Sequence, residues 1–283
     1  MAPEKILFIV RKRIGVPVVS IFIAAIALAP FGLGLCGSAQ AEEDQKTLFG
    51  DFLKGADIGV SATVAYNSKY VWRGFKLDDD PVLQPSITIS AFQGWAVSVW
   101  SNFDLENEDD LNSDETDTIL TYSHTFENLN VFGAQLRPVT MTVGHTYYDF
   151  SGTGLFSKET LLTVGYATFL NPFLTWNHDY GDEEKGGGNG DYIVLNLNHS
   201  IPLVPDYGIT FDLSGHTGYN NELYLAGQGG DVMLTAGFTV PLTKNFAVQP
   251  SVNWSSPLDD MRDEEFANQD DEFYWGVVFN YAM

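Results

Sequence analysis

Histidine beside a serine or a carboxylate is the usual device for general acid-base and nucleophilic catalysis, so the five histidines, His124, His145, His178, His199 and His216, are the first residues to question. Ser123 and His124 are adjacent, and adjacent residues on a strand point to opposite faces, so they cannot partner each other directly. His145 or His178 could meet a serine from another strand, the arrangement a hydrolase would need, but no motif marks such a pair. The Gly-x-Ser-x-Gly, P-loop, His-Glu-x-x-His and EF-hand patterns are all missing. Gly186-Gly187-Gly188-Asn189-Gly190 lacks the lysine and following helix of a phosphate cradle and reads as a flexible loop. The sequence therefore predicts neither an enzyme nor a bound cofactor.

The other residues able to do chemistry are acids. They occur in runs: Asp78-Asp79-Asp80, Glu108-Asp109-Asp110, Asp182-Glu183-Glu184 and Asp259-Asp260. Carboxylate runs offer oxygen ligands, but none has the ordered spacing of a dedicated calcium loop, so they read as solvated acidic loops that attract cations. Across the chain, 37 acids face 14 Lys and Arg, a formal net charge of -23. Such a balance excludes nucleic-acid binding, which needs clustered bases. Hydrophobic residues at 45% and aromatics at 14% exclude a disordered tail.

Residues 1–41 are set apart by composition. Lys5 and Arg11-Lys12-Arg13 precede an apolar stretch from Ile14 to Leu35, and Ser38-Ala39-Gln40-Ala41 fits the small-residue cleavage rule of a secretory signal peptide. Its removal leaves 10 bases, 36 acids and no cysteine, since Cys36 is the only one. Disulfides and thiolate chemistry are thereby excluded from the exported protein. Residues 42–57 carry Leu48, Phe49, Phe52 and Leu53 at helical spacing and are expected to form a periplasmic segment, either a short amphipathic helix or a leader without structure.

From residue 58 to 283 the dominant signal is alternation. Trp95, Val97 and Val99 alternate with Ala96, Ser98 and Trp100, and the final stretch sets Phe273, Trp275, Val277, Phe279, Tyr281 and Met283 on one face. This period of two is the strand signal. Twelve such segments are predicted: 58–73, 83–92, 95–103, 118–126, 137–148, 160–170, 173–178, 192–200, 207–217, 232–240, 246–255 and 273–283. Several are about ten residues long, enough for a tilted strand to cross a bilayer. The connections divide into two sets that alternate along the chain, one mostly short and nearly uncharged, the other mostly longer and carrying 28 acids and 4 bases. Only a closed barrel spans lipid with strands, and an even strand number with short periplasmic turns and long outer loops is its signature. The predicted fold is an all-β transmembrane antiparallel barrel of about twelve strands in the bacterial outer membrane.

Aromatics near strand ends, Tyr70, Trp72, Trp95, Tyr147, Tyr166, Trp176 and Trp254, suit the interfacial girdles of such a barrel. By parity the inward residues are mostly small and polar, among them Ser61, Thr63, Asn67, Thr140, Thr142, Thr163, Thr175, Asn196 and Asn198. Lys69 and Arg73 are the inward positive charges and Asp212 the only mid-strand acid, which makes these three the expected lining of a constriction.

Around the first strand a likeness becomes visible. Ser68-Lys69-Tyr70-Val71-Trp72-Arg73-Gly74-Phe75, then Pro81-Val82-Leu83-Gln84-Pro85, then Gly94-Trp95, resembles the TorF family of outer-membrane porins. The likeness is tightest over residues 60–102 and rests beyond that on layout; Phe75-Lys76 and the final Met283 depart from the family pattern. The resemblance implies an outer-membrane pore.

The expected function is passive diffusion of ions or small solutes, with cations favoured by the acidic outer mouth. The expected partners are outer-membrane lipids and lipopolysaccharide besides the solutes themselves. Two alternatives stand beside it: a closed structural or surface-interaction barrel whose acidic loops bind divalent cations, and an outer-membrane lipase or phospholipase.

Overall fold

In a computed structural model of the protein, the described residues are 57–106, 113–132 and 134–283. The expectations for the signal peptide, for most of the segment 42–57 and for Glu108, Asp109 and Asp110 lie outside them.

Twelve strands form a closed antiparallel barrel. In chain order they are β1 (Gly59–Asn67), β2 (Val82–Ala91), β3 (Trp95–Asp104), β4 (Glu115–Phe126), β5 (Val139–Phe150), β6 (Leu155–Tyr166), β7 (Phe173–Asp179), β8 (Asp191–Val204), β9 (Ile209–Asn221), β10 (Gln228–Pro241), β11 (Phe246–Asp259) and β12 (Glu272–Ala282). Each pairs with its neighbours in sequence, and β1 closes the ring against β12 with Thr63 opposite Asn280. The two chain ends meet at the seam, where Val60 and Met283 exchange backbone hydrogen bonds of 3.2 and 2.9 Å. No sheet edge is left open, as lipid demands.

The core is inverted relative to a water-soluble protein. Outward residues such as Val97, Val143, Leu234 and Trp275 are 46–53% exposed and form an apolar belt of the kind that lipid covers. Trp95, Tyr147, Tyr166, Trp176 and Trp254 lie on this outer face, where an interfacial girdle needs them. His124, His145, His178 and His199 share its parity, whereas His216 faces the lumen. Inside, hydroxyls pair across neighbouring strands: Thr63 with Ser86 at 2.8 Å, Ser123 with Thr142 at 2.8 Å and Thr163 with Thr175 at 2.9 Å. Alternation thus sorts apolar side chains to lipid and hydroxyls to the lumen.

Two expectations are corrected. The first predicted strand, 58–73, ends as barrel wall at Asn67; residues 68–80 leave the wall and contain a separate hairpin, Tyr70–Trp72 against Phe75–Asp78. Tyr70 and Trp72 consequently belong to no girdle. Second, Asp212 is not the only acid within a strand. Strands run further toward the long loops than expected, and Glu115, Asp117, Glu159, Asp179, Asp231 and Glu272 all fall inside them. These six follow the inward parity, so they avoid the lipid face on which a charge costs about 2–4 kcal/mol at the midplane, whereas Asp149 and Asp191, at the strand ends, take the outward parity.

Candidate functional site

The hairpin of residues 68–80 is built by local sequence. Ser68 N–H donates to the Trp275 carbonyl at 2.9 Å and the Ser68 hydroxyl accepts from Trp275 N–H at 3.1 Å, which ends the wall. Trp72 then pairs with Phe75 around Arg73 and Gly74, whose φ angles are +50° and +80°. A two-residue turn with both central residues left-handed matches the twist of the strands it joins. Glycine is required at the second position, because a Cβ there would lie 2.8 Å from the Asp231 Cβ and 2.9 Å from the Met261 methyl. The turn is therefore pressed against the lumen wall.

Three sets of contacts hold it. At the tip, Arg73 donates from Nη1 and Nη2 to Glu159 Oε2 and Oε1 at 2.7 and 2.9 Å, and Tyr148 donates to the same carboxylate at 3.2 Å. The guanidinium lies 4.4 Å from the Trp72 ring centre and 4.7 Å from that of Tyr192. Burial alone would lower the Arg73 pKa, but Glu159, Tyr148 and Tyr192 together outweigh it and hold the group above its ordinary value. Midway, the Tyr70 hydroxyl donates to Glu115 at 3.1 Å, and burial pushes that phenol well above its usual range. At the base, Lys69 contacts Asp79 and Glu272 at 2.6 and 2.7 Å, while Lys76 contacts the same two acids at 3.2 and 2.9 Å. Lys69 is raised by its hydrogen bonds to Asp79 and Glu272, and Asp79 is correspondingly lowered by Lys69 and Lys76. Beside this cluster Asp78 is pushed up to about 6, first by burial and then by Asp104, Asp80 and Asp114.

Around the hairpin the lumen wall is buried. Gln84, Asn102, Thr146, Asn177, Asn220, Asp231 and Glu272, from seven different strands, are each no more than 8% exposed. Several are tied into polar networks: Asp231 accepts from Tyr192 at 2.7 Å and lies 2.6 Å from His216, while Asp179 accepts from Ser157 and Tyr224 at 2.6 and 3.0 Å. Phe75 packs with Leu225, Met261 and Ala267 from two long loops, a buried apolar cluster that a solvated mouth would not contain. The half of the lumen toward the long loops is thus filled, whereas the half toward the short turns keeps its hydroxyl lining partly exposed.

The residues expected to line a constriction are not brought together. Lys69 and Arg73 share the hairpin but sit in separate ion pairs, and Asp212 lies in the opposite half, accepting from Thr210 and Thr239 at 2.9 and 2.6 Å. Asp78, Asp79 and Asp80 close the hairpin rather than forming a free loop. Asp182 caps a single 3-10 turn, Glu183–Lys185, and Lys185 reaches back to it at 3.4 Å, while Asp260 accepts the Gln228 N–H at 2.8 Å after Asp259 ends β11. Gly187 belongs to no free loop, since its Cα packs where the Gly181 backbone leaves no room for a side chain. Glu159, Glu115, Glu272, Tyr148 and Tyr192 were not singled out from sequence; the available signal was the inward parity of the acids. Among the described residues, no group of three His, Cys, Asp or Glu could hold a metal ion.

No protein-family model matches the chain, and no curated protein matches it. Solved structures similar to it include the NanC porin, at 11% identity and a TM-score of 0.46, covering 78% of this chain and 98% of that one. The KdgM porin in complex with disordered oligogalacturonate gives 11%, 0.44, 79% and 98% in the same order. The translocator domain of the autotransporter NalP from Neisseria meningitidis gives 12%, 0.39, 83% and 94%. No residue role is carried over from them.

Proposed function

We propose that this barrel is an outer-membrane channel for passive diffusion of small solutes and ions, that it prefers cations, and that the hairpin of residues 68–80 sets its narrowest point. The observation that carries the reading is a hydroxyl-lined lumen that ends on a hairpin fixed by ion pairs. Barrels of about eight strands are filled by side chains and those of about sixteen leave an open channel, so twelve suit a narrow path that one inserted loop can control. Acids in the outer loops raise the local cation concentration through the focused potential.

The buried ring around the hairpin favours a second reading, a closed barrel that serves as a structural or surface element, with lipopolysaccharide and divalent cations at its acidic rim. A lipase reading has less behind it. Ser123 bonds Thr142, His145 Nδ1 faces the Glu159 carbonyl at 3.0 Å, and His178 Nδ1 faces Asp191 at 3.1 Å.

Planar-bilayer recording of the wild type and of a variant with residues 69–79 replaced by a short Gly-Ser turn separates the readings. The channel reading expects discrete steps in the wild type, larger steps in the variant, and a reversal potential of cation sign under a salt gradient. That potential should shrink in about 1 M salt, where the screening length is about 3 Å. A silent wild type beside a conducting variant would favour the closed barrel, and silence in both would defeat the channel.

A further inference from the structure

Between the hairpin and the facing wall lies a narrow cleft. Tyr70 and Trp72 of the hairpin, Tyr148 of β5 and Tyr224 of the β9–β10 loop line it, and Asp78 and Glu115 add carboxylates. None of its lining residues is Lys or Arg. The nearby bases are already committed: Lys69 and Lys76 to Asp79 and Glu272, Arg73 to Glu159.

A second observation points the same way. Asp117 lies two residues from Glu115 on the same face of β4 and directly across the ladder from Tyr148. It is 8% exposed, and its Oδ1 has no hydrogen-bond partner among the described residues. A buried carboxyl oxygen without a donor is costly, and although Asp117 does not itself line the cleft, a cation held there would favour its charged form across the low-dielectric wall. The aromatic walls select the kind of cation. Ring faces attract positive charge that has shed its water, which a quaternary or alkyl ammonium does far more easily than a small metal ion. One face of Trp72 is already taken by the Arg73 guanidinium, 4.4 Å from its ring centre, which leaves Tyr70, Tyr148 and Tyr224 as the rings open to a ligand.

We propose that the cleft between hairpin and wall binds small organic cations, amines or quaternary ammonium compounds with an apolar body. The inference rests on the channel reading only in taking these cations as solutes collected at the outer mouth; binding itself requires no conduction.

Isothermal titration of the folded full-length barrel in detergent micelles tests it, with choline against 3,3-dimethylbutan-1-ol, a neutral molecule of the same shape. Choline should bind about tenfold more tightly than the alcohol. The preference should persist in about 1 M NaCl, where diffuse attraction by the acidic loops is screened. Glu115→Gln should weaken choline about tenfold. Tyr224→Leu, which removes an aromatic wall and one donor to Asp179 but leaves Glu115 and Asp78 in place, should do the same and serves if the first variant fails to fold. Equal affinity for choline and the alcohol, a preference that vanishes in high salt, or unchanged choline binding in a folded variant would overturn the proposal. Choline binding by a barrel that never conducts would leave this site standing and remove the channel; conduction without choline binding would do the reverse.

Discussion

Arg73 and Glu159 join the tip of the inward hairpin to strand β6 on the far side of the barrel, through two hydrogen bonds of 2.7 and 2.9 Å. Both side chains are largely buried, Glu159 almost completely. Breaking such a pair from one side leaves an uncompensated charge, at a cost of about 3–5 kcal/mol. Arg73→Ala should therefore release the hairpin and lower barrel stability by that order, seen as an earlier midpoint in urea titration. Adding Glu159→Gln should recover much of the loss, because the uncompensated charge at position 159 is then gone. In bilayers both variants should give larger and noisier current steps than the wild type. Unchanged conductance with the expected loss of stability would make the pair structural and remove it from any gate.

Asp78 sets a pH dependence whose sign is opposite to that of a salt-bridged carboxylate. Its pKa rises from 3.8 to about 6 in the docked hairpin, by burial first and by Asp104, Asp80 and Asp114 after it, while the Asp80 N–H acts the other way. The docked state thus binds a proton that the released state has lost. The resulting penalty on docking is in full force above about pH 6, declines as pH falls through that value and is gone below about 4. Lowering the pH from 7.5 to 5 should hold the hairpin more tightly and reduce conductance reversibly. Asp78→Asn should lock in the low-pH behaviour at pH 7.5. A wild type with equal conductance at both values would sink the assignment.

Much of this architecture is legible in the chain, and the reason is lipid. A wall between hydrocarbon and water forces strict alternation, so strands such as Phe246–Asp259 and Glu272–Ala282 announce themselves, and inward positions such as Thr63, Thr142 and Thr175 follow from parity. The hairpin did not announce itself for the same reason. Tyr66, Tyr70 and Trp72 share one parity and Asn67, Lys69 and Arg73 the other, which continues the alternation of β1, and a strand folded into the lumen has the same period as one facing lipid. Arg73-Gly74, with the glycine in second place, was the turn signal that distinguishes them. The site acids were hidden by another effect. Glu115, Glu159 and Glu272 look like loop charges next to short strands, but the strands extend beyond the hydrocarbon and carry them onto the inner wall.

The two faces of a single strand should respond oppositely to charge. Leu234, near the middle of β10, points to lipid and is 53% exposed, while its neighbour Thr235 faces inward and donates to Asn253 at 2.8 Å. Leu234→Arg should cost about 2–4 kcal/mol in reversible folding into liposomes. Thr235→Lys should leave folding nearly unchanged and lower the cation preference of the current. Equal folding penalties at both positions would contradict the assignment of faces.

Gly74 separates the hairpin from the barrel most cleanly. Its φ of +80° strains any other residue, and an added Cβ would meet the Asp231 Cβ at 2.8 Å and the Met261 methyl at 2.9 Å. Backbone conformation alone costs about 1–2 kcal/mol for an L-residue in this region, before the contact with Asp231 is relieved. Gly74→Ala should push the tip off the β10 wall without deleting a charge. The expected result is a urea midpoint lowered by no more than in Arg73→Ala, a conductance that rises as in that variant, and weaker choline binding, because Trp72 moves with the tip. Wild-type conductance in this variant would mean that the tip tolerates displacement without opening a path, and the constriction would then have to lie elsewhere in the lumen.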